Sequence, residues 1–147
     1  MPMTLNILSS ADVRIEEPRY LRLFDACIRR IGAGDSVVPG VTVRLRRRGR
    51  MPGLAGLATF EVSGFRSRGS ATPSRKRTIT FYTGLMDRLS DGAVMGVMAH
   101  EIAHVWLNEF VSPEASGRRE KDADVLAEMW GFEAELKALS EETEPFE

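Results

Sequence analysis

Between residues 18 and 31 the apolar positions Tyr20, Leu21, Phe24, Ile28 and Ile31 recur every three or four residues, the repeat of one helix face. Pro18 is tolerated in a first turn, and Gly32 and Gly34 close the segment. The period then shortens to two. Val41, Val43 and Leu45 alternate with Thr42, Arg44 and Arg46, and Ile79 and Phe81 alternate with Thr78, Thr80 and Tyr82, so both stretches read as half-buried strands. Leu57 to Val62 predicts a middle strand, set between the glycines of MPGLAG and the polar loop SGFRSRGSATPSRK. The three strands are expected to form a small antiparallel sheet.

From Ser90 the helical period returns and holds through Val94, Met98, Ile102, Val105 and Trp106, which predicts a mostly buried central helix near residues 91–110 with Ser90 or Asp91 as its N-cap. Ser112, Pro113 and Gly117 interrupt it. The pattern resumes through Ala123, Leu126, Ala127, Trp130 and Ala134 as one last long helix near 118–139. The acidic tail over residues 140–147 has little to bury and is expected to fray. The resulting picture is an α+β fold, a small sheet packed against a central helix and a C-terminal helix.

Composition narrows the class without naming it. With 147 residues, 43% apolar and 28% charged, the chain is expected to be one globular domain, 1–147. Its longest unbroken run of apolar or small residues, Ala93 to Ala99, is far short of the ~18 to 20 residues of a membrane span. The opening MPMTLNILSS has neither the basic region nor the apolar core of a secretory signal. Cys27 is the sole cysteine, so no intrachain disulfide forms, and a cytoplasmic location is expected. The formal net charge of −1 conceals an asymmetry: residues 1–80 carry 15 Lys or Arg against 6 Asp or Glu, a balance of +9, and residues 81–147 carry 5 against 15, a balance of −10. The two parts should attract each other.

Both histidines fall in one pentapeptide, His100, Glu101, Ile102, Ala103 and His104, the pattern H-E-x-x-H on a predicted helix. Four residues make about one turn, so the two imidazoles project from one face and converge on one cation, while Glu101 is rotated by roughly 100° toward its open side. Zn²⁺ suits this spacing: it accepts imidazole nitrogen at about 2.0–2.1 Å and, with three protein ligands, keeps a fourth position for water whose pKa falls to ~7. Glu101 is then the catalytic base. The bland alternative is one packed and one exposed histidine beside an ordinary helical acid. Gly96, one turn before His100, either admits backbone or substrate to the site or serves helix packing.

The third ligand has to be a carboxylate, because no other histidine and no nearby cysteine remains. Glu109 and Glu114 are too close to His104 to fold back easily, whereas Glu120 opens the helix after the break and is the expected ligand, with Glu128 as the fallback. Asp124, four residues on, is placed to accept the outer N–H of a ligating imidazole. Acids in a first helical turn are also favourable with the helix dipole by ~0.3 to 1 kcal/mol, which would account for Glu120 without a metal. Mutual repulsion of Glu120 and Asp124 at i, i+4 works against that simpler explanation.

The pair H-E-x-x-H and E-x-x-x-D resembles the gluzincin metallopeptidases, in which two histidines and a downstream glutamate hold zinc. A closer similarity runs from about Thr78 to Trp130 and is to the peptidase domain of the plant organ-size regulators of the DA-one family. It is carried by Ala99, His100, Glu101, His104, Trp106, Leu107, Glu120, Val125, Leu126, Ala127, Met129 and Trp130. The resemblance implies a minimal zincin-like fold and a zinc-dependent peptidase acting on protein or peptide substrates, with His100, His104 and Glu120 as ligands and Glu101 as base. The plant proteins carry ubiquitin-interacting and LIM modules ahead of the peptidase, and neither is visible in this chain. Arg119 and Lys121 depart from the Glu-Glu-Gly of that family, and Ala123 and Asp124 are more similar to other gluzincins, including bacterial proteases that cleave phage repressors.

An extended substrate is expected to pair with the strand carrying Thr78, Thr80 and Tyr82, just ahead of the central helix. Tyr82 and Tyr20 are candidate oxyanion donors, with core or rim packing as the plainer reading of each. Two rival functions remain: a zinc-binding regulator without turnover, and a nucleic-acid module built on Arg44, Arg46, Arg47, Arg48, Arg50, Arg66, Arg68, Arg75, Lys76 and Arg77. Few aromatics interleave those arginines for base stacking, and a solvated sheet face opposite acidic helices is simpler. A weaker variant has the basic strands selecting acidic substrates.

Overall fold

The computed structural model describes residues 7–9, 11–32, 38–47, 57–65, 74–111 and 116–143. In chain order its elements are β1 (Leu8–Ser9), β2 (Asp12–Arg14), α1 (Pro18–Ile31), β3 (Val38–Pro39), β4 (Val41–Arg46), β5 (Ala58–Phe65), β6 (Ser74–Tyr82), α2 (Thr83–Met86), α3 (Asp91–Phe110), α4 (Ser116–Met129) and α5 (Glu133–Thr143).

Helix α3 is the axis of the molecule. The Oγ of Ser90 accepts the Ala93 N–H at 3.3 Å and so satisfies one of the free donors at the helix start. From there α3 is apolar nearly all round, the mark of a helix enclosed by other elements. Ala93, Val94, Met98, Ala99, Ile102, Ala103 and Val105 are fully buried against neighbours that include α1, α4, α5 and β5. Tyr20, Leu23, Phe24 and Cys27 form the buried face of α1, and the ring of Phe24 meets that of Phe81 edge-on at 6.5 Å.

The main sheet has the order β2-β4-β6-β5. The α+β class is as expected, but the sheet is mixed rather than antiparallel: β2 with β4 and β4 with β6 run parallel, and only β5 with β6 is antiparallel. After β4 the chain passes to the far edge, lays down β5 and returns as β6 between them, so β6 points the same way as β4. Alternation determines which face a residue takes and is silent about a neighbour's direction. The inward residues Val41, Val43, Ile79 and Phe81 are fully buried.

The single last helix expected near 118–139 is two helices. Gly131, at φ 99°, ends α4 in a Schellman turn: its N–H donates to Glu128 O at 2.9 Å, and the Phe132 N–H reaches back to Ala127 O at 3.1 Å. Phe132 is then fully buried. Helix α5 folds onto α3 at Gly96, where an added Cβ would lie 2.7 Å from the Glu135 carbonyl oxygen. Gly96 therefore serves helix packing and does not open the site to substrate. At its far end the Glu142 carboxylate accepts the Ser90 N–H at 2.7 Å and the Ser90 hydroxyl, tying α5 to the start of α3. Since α5 runs through Thr143, residues 140–143 of the tail expected to fray are helical, and 144–147 lie outside the described residues.

The charge asymmetry is used internally. Arg19 and Arg22 pair with Asp91, Arg30 pairs with Glu135 at 2.8 Å, and the nearly buried Arg77 holds Glu109. Each of these pairs joins the basic part of the chain to the acidic part.

Candidate metal centre

One helical turn separates His100 from His104, and their rings stand 4.6 Å apart at 79° with the two Nε2 atoms 3.0 Å from each other. Helix α4 crosses this face and delivers Glu120. Its Oε2 lies 3.0 Å from His100 Nε2 and its Oε1 2.8 Å from His104 Nε2. The three side chains form the one cluster among the described residues whose donor geometry suits a metal ion, their donor atoms all within 4.8 Å of one another. A tetrahedral cation with bonds of about 2.0–2.1 Å holds its ligand atoms about 3.3 Å apart, close to the spacing found here. Both imidazoles are largely buried, whereas 75% of the Glu120 side chain is open to solvent, so an ion reaches the cluster from that side.

Asp124 lies one turn beyond Glu120 on α4, and its Oδ1 is 2.7 Å from His100 Nδ1. A proton held on Nδ1 by that carboxylate leaves Nε2 with a bare lone pair facing the cluster. The donor set then consists of two imidazole nitrogens and a carboxylate, which fits zinc sites that keep a fourth position open. The α3/α4 contact that maintains this geometry is apolar: Ala103, Leu107 and Ala123 are buried together, with Trp106, Leu126 and Trp130 packed around them.

Glu101 is buried beside the cluster, and its carboxyl is pushed up to about 7. Desolvation is the main cause. The neighbouring Glu120 adds to it, and His100 opposes it. Such a carboxyl holds and releases a proton near neutrality.

A cleft of about 610 Å³ opens at these residues, within the range of ligand sites. One wall is β5 with the residue before it, Leu57 to Phe60, and the opposite wall is α5 through Leu136, Leu139, Ser140 and Thr143. Neither wall was singled out from sequence. Thr78, Thr80 and Tyr82 do not belong to the cleft. They sit on β6, which is hydrogen-bonded to β4 on one side and to β5 on the other, so it has no free edge for a substrate strand. Thr80 is buried and accepts from Arg44 Nε at 3.0 Å, and the Tyr82 hydroxyl is 3.3 Å from Thr59 Oγ1. Among the described residues the sheet ends at β2 and at β5, and it is β5, paired there with β6 alone, that borders the cleft.

Tyr20 is fully buried and its hydroxyl donates to Asp87, which makes it a core residue and not an oxyanion donor. Glu109 is engaged by Arg77, and Glu128 is exposed and away from the cleft. Of the basic set, Arg44 and Arg77 have internal partners and Arg46 and Arg47 are exposed. Glu114, Arg48, Arg50, Arg66 and Arg68 and the side chains of residues 75 and 76 lie outside the described residues. Among the described residues no helix is long and apolar enough to cross a membrane.

A histidine pair on a buried helix, a glutamate brought from the next helix and a buried acid beside them, all at an open cleft, define the class of metal-dependent peptidases. The model of peptidase family M48 matches residues 62–135, half of the chain, and the chain belongs to that family, whose members are typically zinc-dependent. No individual curated protein and no solved structure matches it.

Proposed function

We propose that the protein is a zinc-dependent metallopeptidase that hydrolyses peptide bonds, with Glu101 as general base. The observation that carries this reading is the convergence of His100, His104 and Glu120 with Glu101 buried at their side. When bound by those three residues, Zn²⁺ supplies Lewis-acid polarisation of the scissile carbonyl and acidifies water. Glu101 takes the proton of the attacking water and passes it to the leaving amine, a double duty that a carboxyl titrating near neutrality is suited to perform. Asp124 holds the His100 proton on Nδ1 and keeps the ring turned to the cluster. An extended peptide adds to the open edge of β5, which borders the cleft.

We also propose that the chain is similar to the DA-one-like peptidases. Trp106, Leu107, Leu126, Ala127 and Trp130, which carry that likeness, pack α3 against α4 and so maintain the Glu120 position. A cytoplasmic setting is our reading of Cys27, a lone buried thiol pushed up to about 12 by desolvation.

The test is metal content alongside cleavage of denatured protein substrates. Stoichiometric zinc in the wild type and in Glu101→Gln, its loss in His104→Ala, and cleavage abolished in both variants are expected. Zinc retained by a wild type that cleaves no denatured protein or peptide would overturn the peptidase reading in favour of a zinc-binding regulator.

A further inference from the structure

The wall of the cleft formed by α5 contains most of the information about what the site would accept. The family match ends at residue 135, and Leu136, Leu139 and Thr143 lie beyond it. Leu136 and Leu139 are three residues apart on one helical face, each half-buried and lining the cleft. Facing the same space are Leu57 and Phe60 from the β5 side and Val97, one turn before Glu101 on α3. The Thr143 hydroxyl commits its proton to Leu139 O at 2.6 Å and so offers the cleft an acceptor and no donor. No Lys or Arg lines the cleft among the described residues, and its carboxylates are those of the metal cluster and its surroundings. An acidic side chain finds no counter-charge there, which argues against selection of acidic substrates.

The α5 wall is also held at several points. The Glu135 carbonyl rests on Gly96, the Arg30 guanidinium lies over the Phe132 ring at 4.6 Å and pairs with Glu135, and Glu142 grips Ser90. A wall fixed along its length discriminates by shape as well as by polarity.

We propose, resting on the peptidase reading of the site, that Leu136 and Leu139 of α5 form one side of an apolar pocket that selects substrates with a medium-sized aliphatic residue, Leu, Ile or Met, next to the scissile bond. Removing the aliphatic side chain down to Ala costs about 10- to 100-fold in such a pocket, and a charged side chain would be rejected more strongly.

The experiment uses the zinc-loaded full chain and octapeptides of Gly and Ser with one variable residue, Leu, Phe, Ala or Asp. Binding to the Glu101→Gln variant is followed by fluorescence anisotropy, and cleavage by the wild type is mapped by mass spectrometry. The Leu peptide should bind at least 10-fold more tightly than the Ala or Asp peptide, and the wild type should cut beside the Leu. Leu139→Phe, which fills the pocket, should erase the Leu preference, whereas Leu136→Ala, which widens it, should move the preference toward Phe. Equal binding of the Leu, Ala and Asp peptides would overturn the proposal, as would a Leu preference unchanged in both α5 variants. Cleavage without side-chain preference counts against the pocket alone. Selective binding of the Leu peptide without cleavage supports the pocket and counts against the peptidase reading.

Discussion

Burial of the Glu101 carboxyl works against stability. Its folded-state pKa of about 7 stands above the ordinary value of 4.5 because burial opposes its charge. An acid shifted in this direction contributes stability that is fully present below 4.5 and is lost as the pH rises through about 7. At pH 8 the metal-free protein therefore carries an ionised carboxylate in a desolvated site, a cost of roughly 3 kcal/mol. Glu101→Gln removes that charge. Metal-free Glu101→Gln should unfold at a higher temperature than metal-free wild type at pH 8, and the difference should shrink at pH 5. Thermal unfolding at the two pH values checks this, and an equal difference at both would contradict it. Asp124 acts at the same scale but through another residue. If its carboxylate sets the His100 tautomer, Asp124→Ala should weaken zinc binding about 10- to 100-fold while leaving the three donor side chains in place. Competition with a chromophoric chelator measures this, and unchanged affinity would remove Asp124 from the site.

Among the elements, α3 and α5 depend on each other at Gly96. Alanine favours a helix over glycine by about 1 kcal/mol, so on propensity alone Gly96→Ala would stabilise α3. The added Cβ would lie 2.7 Å from the Glu135 carbonyl oxygen, a backbone atom that cannot step aside alone. Helix α5 must shift, at a net cost of about 1–3 kcal/mol. Denaturant unfolding should show Gly96→Ala to be less stable than wild type, and a stabilised variant would contradict the close approach. This scale also divides what the sequence could reveal from what it could not. The start and end of α3 were readable because Ser90 caps it and its apolar repeat is local, and the H-E-x-x-H pair was readable because one helical turn suffices to bring its histidines together. Glu120 needed an argument by elimination across the break after α3, and the structure does bring it to His100 and His104. Strand direction had no local signal. The expectation that Thr78 to Tyr82 receive substrate failed because an edge is a property of neighbours: β6 carries the same alternation whether or not β5 lies outside it. The division between α4 and α5 was marked by Trp130, Gly131 and Phe132, but an apolar repeat on both sides masked the left-handed turn.

At the scale of the whole molecule an ion held by His100, His104 and Glu120 would couple α3 to α4, two helices that also meet through a small apolar cluster and the His100–Asp124 contact. An ion that binds only the folded state stabilises it by about 4 kcal/mol at a thousandfold excess over its dissociation constant. For a protein of this size that corresponds to a rise in Tm of roughly 10 °C. Zinc should therefore raise the unfolding temperature of the wild type, a strong chelator should return it, and His104→Ala should show neither effect. Differential scanning calorimetry with and without chelator decides this.

The most direct measurement is anomalous scattering at the zinc edge from crystals of the zinc-loaded protein. A single peak is expected within bonding distance of His100 Nε2, His104 Nε2 and a Glu120 carboxylate oxygen, with Glu101 beside it and outside the bonded set. No peak at that position, or a zinc ion held elsewhere while these three side chains point apart, would contradict it.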